Sequence, residues 1–130
     1  MNIILSAIAI ALMLTISGCA TTQTNTGTGK AETIEALVKA KGIHEECFPM
    51  TLSDEVRVSF ESSRPLDYNI HYHKGDQIFY PVDLKGIAKW QGVFKAEKDD
   101  VYCLMWTNNT AEQVWLNGSY SMMPKPAKKP

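Results

Sequence analysis

The chain has no surplus of either charge. Thirteen Lys and Arg stand against 14 Asp and Glu, and without a basic excess nucleic acid is excluded as its main partner. There is no internal repeat, no Gly-rich phosphate loop, no dinucleotide fingerprint and no Gly-x-Ser-x-Gly nucleophile elbow, so nucleotide enzymes and serine hydrolases find no support. The N-terminal apolar run, Ile3 to Ile16, falls short of the about 20 residues that span a bilayer. Cysteine is scarce, at Cys19, Cys47 and Cys103.

That apolar run suits a secretory leader. It ends at Ile16-Ser17-Gly18-Cys19, which resembles the lipobox of bacterial lipoproteins: a branched aliphatic residue, two small residues, then Cys. The resemblance implies a diacylglycerol thioether on Cys19, removal of residues 1–18 as signal peptide, and acylation of the new amine. No Lys or Arg precedes the run, a departure from the family pattern. An uncleaved anchor would want a longer apolar run and a basic flank. Three acyl chains exceed what stable membrane attachment needs. Ala20 rather than Asp follows the Cys, which by resemblance to enterobacterial sorting implies the outer membrane. Residues 19–30 are small and polar, the composition of a flexible tether.

The rest is one domain's worth of chain. Ile34, Leu37 and Val38 at i, i+3, i+4, followed by Gly42, predict a short amphipathic helix over 31–43. Residues 44–122 read as short strands. Val56, Val58 and Phe60 alternate with polar residues, as do Leu66, Tyr68, Ile70 and Tyr72, then Ile78, Tyr80, Val82 and Leu84. Turn signals at Ser62–Pro65, Lys74–Asp76 and Lys85–Gly86 recur at the spacing of an all-β antiparallel sandwich, here of about seven strands. Val101 to Trp106 carries no charge and is expected at the centre of a sheet, buried on both faces. Residues 123–130 read as a basic, Pro-rich tail.

Glu46-Cys47-Phe48, Gly92-x-Phe94-x-Ala96 and Val101-Tyr102 with Asn108 downstream resemble the Golgi-dynamics (GOLD) domain over about residues 45–120. The resemblance implies a compact antiparallel β-sandwich, jelly-roll-like, used as an interaction module. It also implies a disulfide from Cys47 to the Tyr-containing strand. The family places that second Cys at the position of Met105, whereas here it is Cys103, two residues earlier on the same face. With Cys19 lipidated, Cys47 and Cys103 are also the pair left over in an oxidising compartment.

His71 and His73 share one strand face with Asp67 and Asn69. His-x-His on a strand suits a metal, and the pattern resembles the first metal motif of cupins, but the Glu that should follow is missing. Two His supply two ligands where a catalytic zinc takes three. The expectation is therefore an exposed polar surface of Asp67, Asn69, His71 and His73 that contacts a partner, with a metal or enzymatic site on His71/His73 as the alternative. Trp90, Trp106 and Trp115 read as core or rim. The chain reads as a non-catalytic outer-membrane lipoprotein that binds another envelope protein or a glycan, with a structural role in envelope integrity as a further alternative. It uses no cofactor besides the covalent lipid on Cys19.

Overall fold

The computed structural model describes residues 29–123. The lipobox expected at Cys19, the expected tether up to residue 28 and the expected tail from residue 124 lie outside the described residues. Six strands follow one another: β1 (Glu32–Val38), β2 (Ile43–Met50), β3 (Glu55–Lys74), β4 (Gln77–Lys95), β5 (Asp100–Thr107) and β6 (Val114–Met122). All pairings are antiparallel and form one sheet in the order β1-β6-β3-β5-β2, with β4 on the other edge of β3.

The length of β3 explains the architecture. Its first half pairs with β6 over 56–62 and its second half with β5 over 67–72, while β4 runs beside it along both. The sheet therefore folds over into two four-stranded layers that share the β3–β4 hairpin. The first layer is β1, β6, the first half of β3 and the last half of β4. The second is β2, β5, the second half of β3 and the first half of β4. Ser62–Pro65 and Lys85–Gly86, expected as turns between separate strands, are instead the corners at which β3 and β4 cross between layers. The β3–β4 register jumps between Glu61 and Leu66 and again before Tyr68, as it must where strands switch layers through a bulge. The corner is tied down: Ser62 Oγ donates to Arg64 O at 2.7 Å, Trp115 N donates to Ser63 Oγ at 3.0 Å, and Arg64 pairs with Glu112. At the far end the hairpin closes through Gly75-Asp76. Gly75 has φ 59° and Asp76 is not left-handed, the pattern of a II′ turn that matches strand twist.

The helix expected over 31–43 is a correction: these residues form β1 and the turn into β2. Ile34 and Val38 are four apart, and four is even, so they share a face in a strand as well as in a helix. Leu37 separates the two. A helix would bury it beside Ile34; the strand turns it outward, 40% exposed, while Ile34 and Val38 are buried. The free edge of β6, which β1 satisfies with seven paired residues, outweighs the local helical spacing. The seven expected strand segments are all present, four of them as the halves of β3 and β4, and β1 adds an eighth.

The core lies between the layers. Val56, Val58 and Phe60 face Tyr68, Tyr102, Leu104 and Trp106, all buried. Phe60 meets Trp106 edge-on at 5.5 Å, and Phe48 of β2 stacks on Tyr120 of β6 at 4.9 Å, so aromatic contacts bridge the layers. In β5 the inward Tyr102, Leu104 and Trp106 are fully buried, but outward Val101 is half exposed; burial on both faces holds only around Cys103. Asn108, fully buried, closes the end of the sandwich. Its Nδ2 donates to the carbonyls of Val38, Lys39 and Glu112, and its Oδ1 accepts from Thr110 N and Oγ1. The GOLD-like residues thus have plain structural work here: Phe94 packs on Tyr102 at 5.3 Å and Asn108 holds the loop.

Candidate functional site

The outer face of the second layer carries the predicted quartet, but not as an exposed surface. His71 and Asn69 are each only 4% exposed, Asp67 is half-buried, and only His73 is open. The expected polar surface is corrected on this point, and the register gives the cause. His71 lies opposite Cys103 of β5, and Cys103 lies opposite Cys47 of β2. Cys47 and Cys103 form a disulfide, with Cα atoms 4.1 Å apart and a sequence separation of 56. That bridge walls one side of the imidazole, and Tyr80 of β4, its ring 5.7 Å away, walls the other. Asn69 is flanked in the same way by Met105 and Asp83.

Both His71 nitrogens are occupied. Nδ1 is 2.8 Å from the Asn69 side-chain amide and Nε2 is 3.2 Å from Glu45 Oε1. A protonated ring donates to both partners at once. A neutral ring serves both only if Nε2–H donates to Glu45 and the Asn69 amide presents its NH₂ to Nδ1. Burial pushes the His71 pKa below its ordinary value; Glu45 opposes that shift and His73, its ring 5.2 Å away, adds to it. Asp67 is structural: Gly86 N donates to Oδ1 and Asn109 Nδ2 to Oδ2, each at 2.9 Å. His44 turns to the inner side of β2, where its ring meets Trp106 at 5.9 Å and Nε2 reaches Glu46 at 2.9 Å. It does not approach the His71 face.

The donor atoms of Glu45, His71 and Cys103 lie within 4.8 Å of one another. The Cys103 sulfur is committed to the disulfide, which leaves a carboxylate and an imidazole whose nitrogens are already engaged. That is one donor short of a three-ligand zinc site. The same count argues against acid–base or thiol chemistry: the thiol is oxidised and the imidazole has no free nitrogen for a substrate.

Around this buried centre the face carries the exposed His73 and several exposed apolar residues. Ile78 is 44% exposed, Tyr80 49% and Val101 50%, with Pro49 beside Val101 on β2. Isolated exposed apolar residues are ordinary, but a contiguous row rimmed by charge marks an interaction surface. Glu45, Asp83 and Lys85 supply the rim. Alternation had placed Ile78 in the core. In fact the β3–β4 register shifts between Ile70 and Tyr72, which puts Phe79 opposite Tyr72 and turns Ile78 outward opposite His73, and nothing local to the sequence reveals that.

The outer face of the first layer is different. Ser59 and Glu61 of β3, Lys89 and Gln91 of β4, and Asn117 and Ser119 of β6 line an open groove of about 710 Å³. The register sets them in two rows: Asn117–Glu61–Lys89 and Ser119–Ser59–Gln91. Phe60 and Trp90 turn their rings coreward, so their backbone forms the floor. Gly118 lets β6 approach that floor; a Cβ there would collide with the Ser59 carbonyl and stand 2.8 Å from Phe60 Cβ. Sequence reasoning missed this groove. Its members are simply the polar phase of three strands, and only the register aligns them. Trp115, two residues before Asn117 on the same face, is 58% exposed beside Leu37 of β1, not core.

No family model and no curated protein matches the chain by sequence. Two solved structures share its fold. Aeromonas hydrophila PliG, a periplasmic lysozyme inhibitor of g-type lysozyme, is 13% identical with a TM-score of 0.54, over 73% of this chain and 88% of that one. The Yersinia pseudotuberculosis-derived mitogen is 11% identical with a TM-score of 0.52, over 78% and 92%. At these identities what is shared is the antiparallel β architecture of two small bacterial proteins.

Proposed function

We propose that this protein is a non-catalytic binding module of the bacterial envelope, held at the outer membrane by acylated Cys19, and that it docks a second envelope protein through the outer face of its second layer. The observation that carries the proposal is the group of exposed apolar residues Ile78, Tyr80, Val101 and Pro49, with the exposed His73 beside Ile78 and charged residues at the rim. An interface of this kind is an aromatic and aliphatic centre inside a polar ring. Three further observations support it. The disulfide suits an oxidising compartment. Ile16-Ser17-Gly18-Cys19 resembles a lipobox. The fold is that of PliG, itself named as an inhibitor of another protein in the periplasm.

The disulfide and the filled His71 give the face rigidity. A docking surface whose side chains are already fixed loses less entropy on binding. Chemical cross-linking of the intact lipoprotein in cells tests the reading, with adducts identified by mass spectrometry. The expected result is a protein adduct that is lost in an Ile78→Asp/Tyr80→Asp chain that still reaches the membrane and stays folded. An adduct indifferent to that double substitution would overturn the docking face. An uncleaved Met1 in the mass of the membrane-bound chain would overturn the lipid anchor.

A further inference from the structure

The first-layer groove is separate from the docking face and has a different chemistry. We infer that it is a second binding site, and that its ligand is an uncharged oligosaccharide. Six polar side chains, Ser59, Glu61, Lys89, Gln91, Asn117 and Ser119, line it. Among the described residues none of the six has a side-chain hydrogen bond or ion pair within the protein. This holds even for Glu61 and Lys89, which are direct cross-strand partners and the natural candidates for an ion pair. Each therefore keeps its donors and acceptors for a ligand.

The set is mixed. Lys89 only donates, Glu61 only accepts, the two amides do each from different atoms, and the two serines do both from one. A sugar hydroxyl also donates and accepts from one atom, so a row of hydroxyls matches this row of groups. The single carboxylate and single ammonium cancel, so the groove attracts neither an anion nor a cation over a neutral ligand. A nucleic acid would need a surplus of positive charge, and a peptide anchor would need an apolar pocket that these six do not make. Trp115 does not line the groove but stands exposed two residues from its Asn117 on the same face of β6. Its ring offers a flat apolar surface to the C–H face of a pyranose, the amphipathic complement to the hydroxyl edges. The volume of about 710 Å³ falls within the about 300–1,000 Å³ of ligand sites.

The test is titration of the ¹⁵N-labelled full chain, held in a zwitterionic detergent free of sugar, with N-acetylchitotetraose and separately with maltotetraose. The expected result is saturable shifts for one or both, largest at the amides of Ser59, Gln91, Asn117 and Ser119. A Gln91→Ala/Asn117→Ala chain should bind at least about tenfold more weakly with an unchanged thermal midpoint. Trp115→Ala should also weaken binding, with the shifts at the six residues keeping their pattern. No shift with either sugar at millimolar concentration overturns the inference, and so do shifts confined to the His71 face. Neither outcome bears on protein docking at Tyr80, so the two readings stand or fall separately.

Discussion

The two halves of β3 read alike in sequence and have opposite fates. In each, every second residue is a large apolar group that points into the core: Val56, Val58 and Phe60 in one, Leu66, Tyr68, Ile70 and Tyr72 in the other. In each, the intervening residues are polar. Arg57, Ser59 and Glu61 are exposed, whereas Asn69 and His71 are buried. Alternation fixes which side of a sheet a residue faces. It does not fix whether that side is covered. The cover comes from the neighbouring strands: small and polar residues beside Ser59, a disulfide, Met105 and Tyr80 beside Asn69 and His71.

The largest way to break that difference is to remove the cover. A Cys47→Ala/Cys103→Ala chain loses a bridge that closes a 56-residue separation, worth about 4 kcal/mol by the chain-entropy relation. Urea unfolding should show that loss, a large share of the roughly 5–15 kcal/mol typical of a domain. His71 should then become accessible to histidine-directed modification.

Matched truncations on the two halves sharpen the comparison. His71→Ala strands Asn69 at a buried position and should cost about 2 kcal/mol. Ser59→Ala, on the corresponding outward position of the first half, should lie within about 0.5 kcal/mol of the parent. Urea midpoints of the two chains measured together check this; equal losses would mean that the halves do not differ in burial.

The smallest effect is one of pH. In the folded chain His71 has a pKa below the ordinary 6.5, so near and below that value the unfolded chain binds more protons than the folded one. Stability from this group is present above about pH 6.5 and is lost as pH falls through the window down to the folded-state value. The denaturation midpoint should fall between pH 7.5 and pH 5.5, and a His71→Gln chain should show a smaller fall.

These contrasts also separate what was legible from what was not. The inward phase of the strands from Val56 to Leu116 follows from period-two alternation except at the start of β4, where the register shift between Ile70 and Tyr72 turns Ile78 and Tyr80 outward, and Cys47–Cys103 follows from count and compartment. The layer-crossing corners were misread because Arg64-Pro65 and Lys85-Gly86 look the same as a bulge inside a strand or as a turn between two. β1 was misread because its two anchor residues fit both periods and only Leu37 distinguished them. The burial of His71 and the groove around Ser59 both depend on which strands lie side by side, a non-local property that no single segment carries. Asn108 entered the sequence reading only as part of the GOLD-like pattern, yet its amide is spent inside the protein.

The most direct test of the docking reading places a photo-cross-linking residue at Tyr80 in one strain and at Arg57 in another, each within the intact chain. The first site lies on the outer face of the second layer and the second on that of the first. Irradiation in living cells should give a discrete protein adduct from position 80 and none from position 57. No adduct at position 80, or the same adduct at both, would contradict the account.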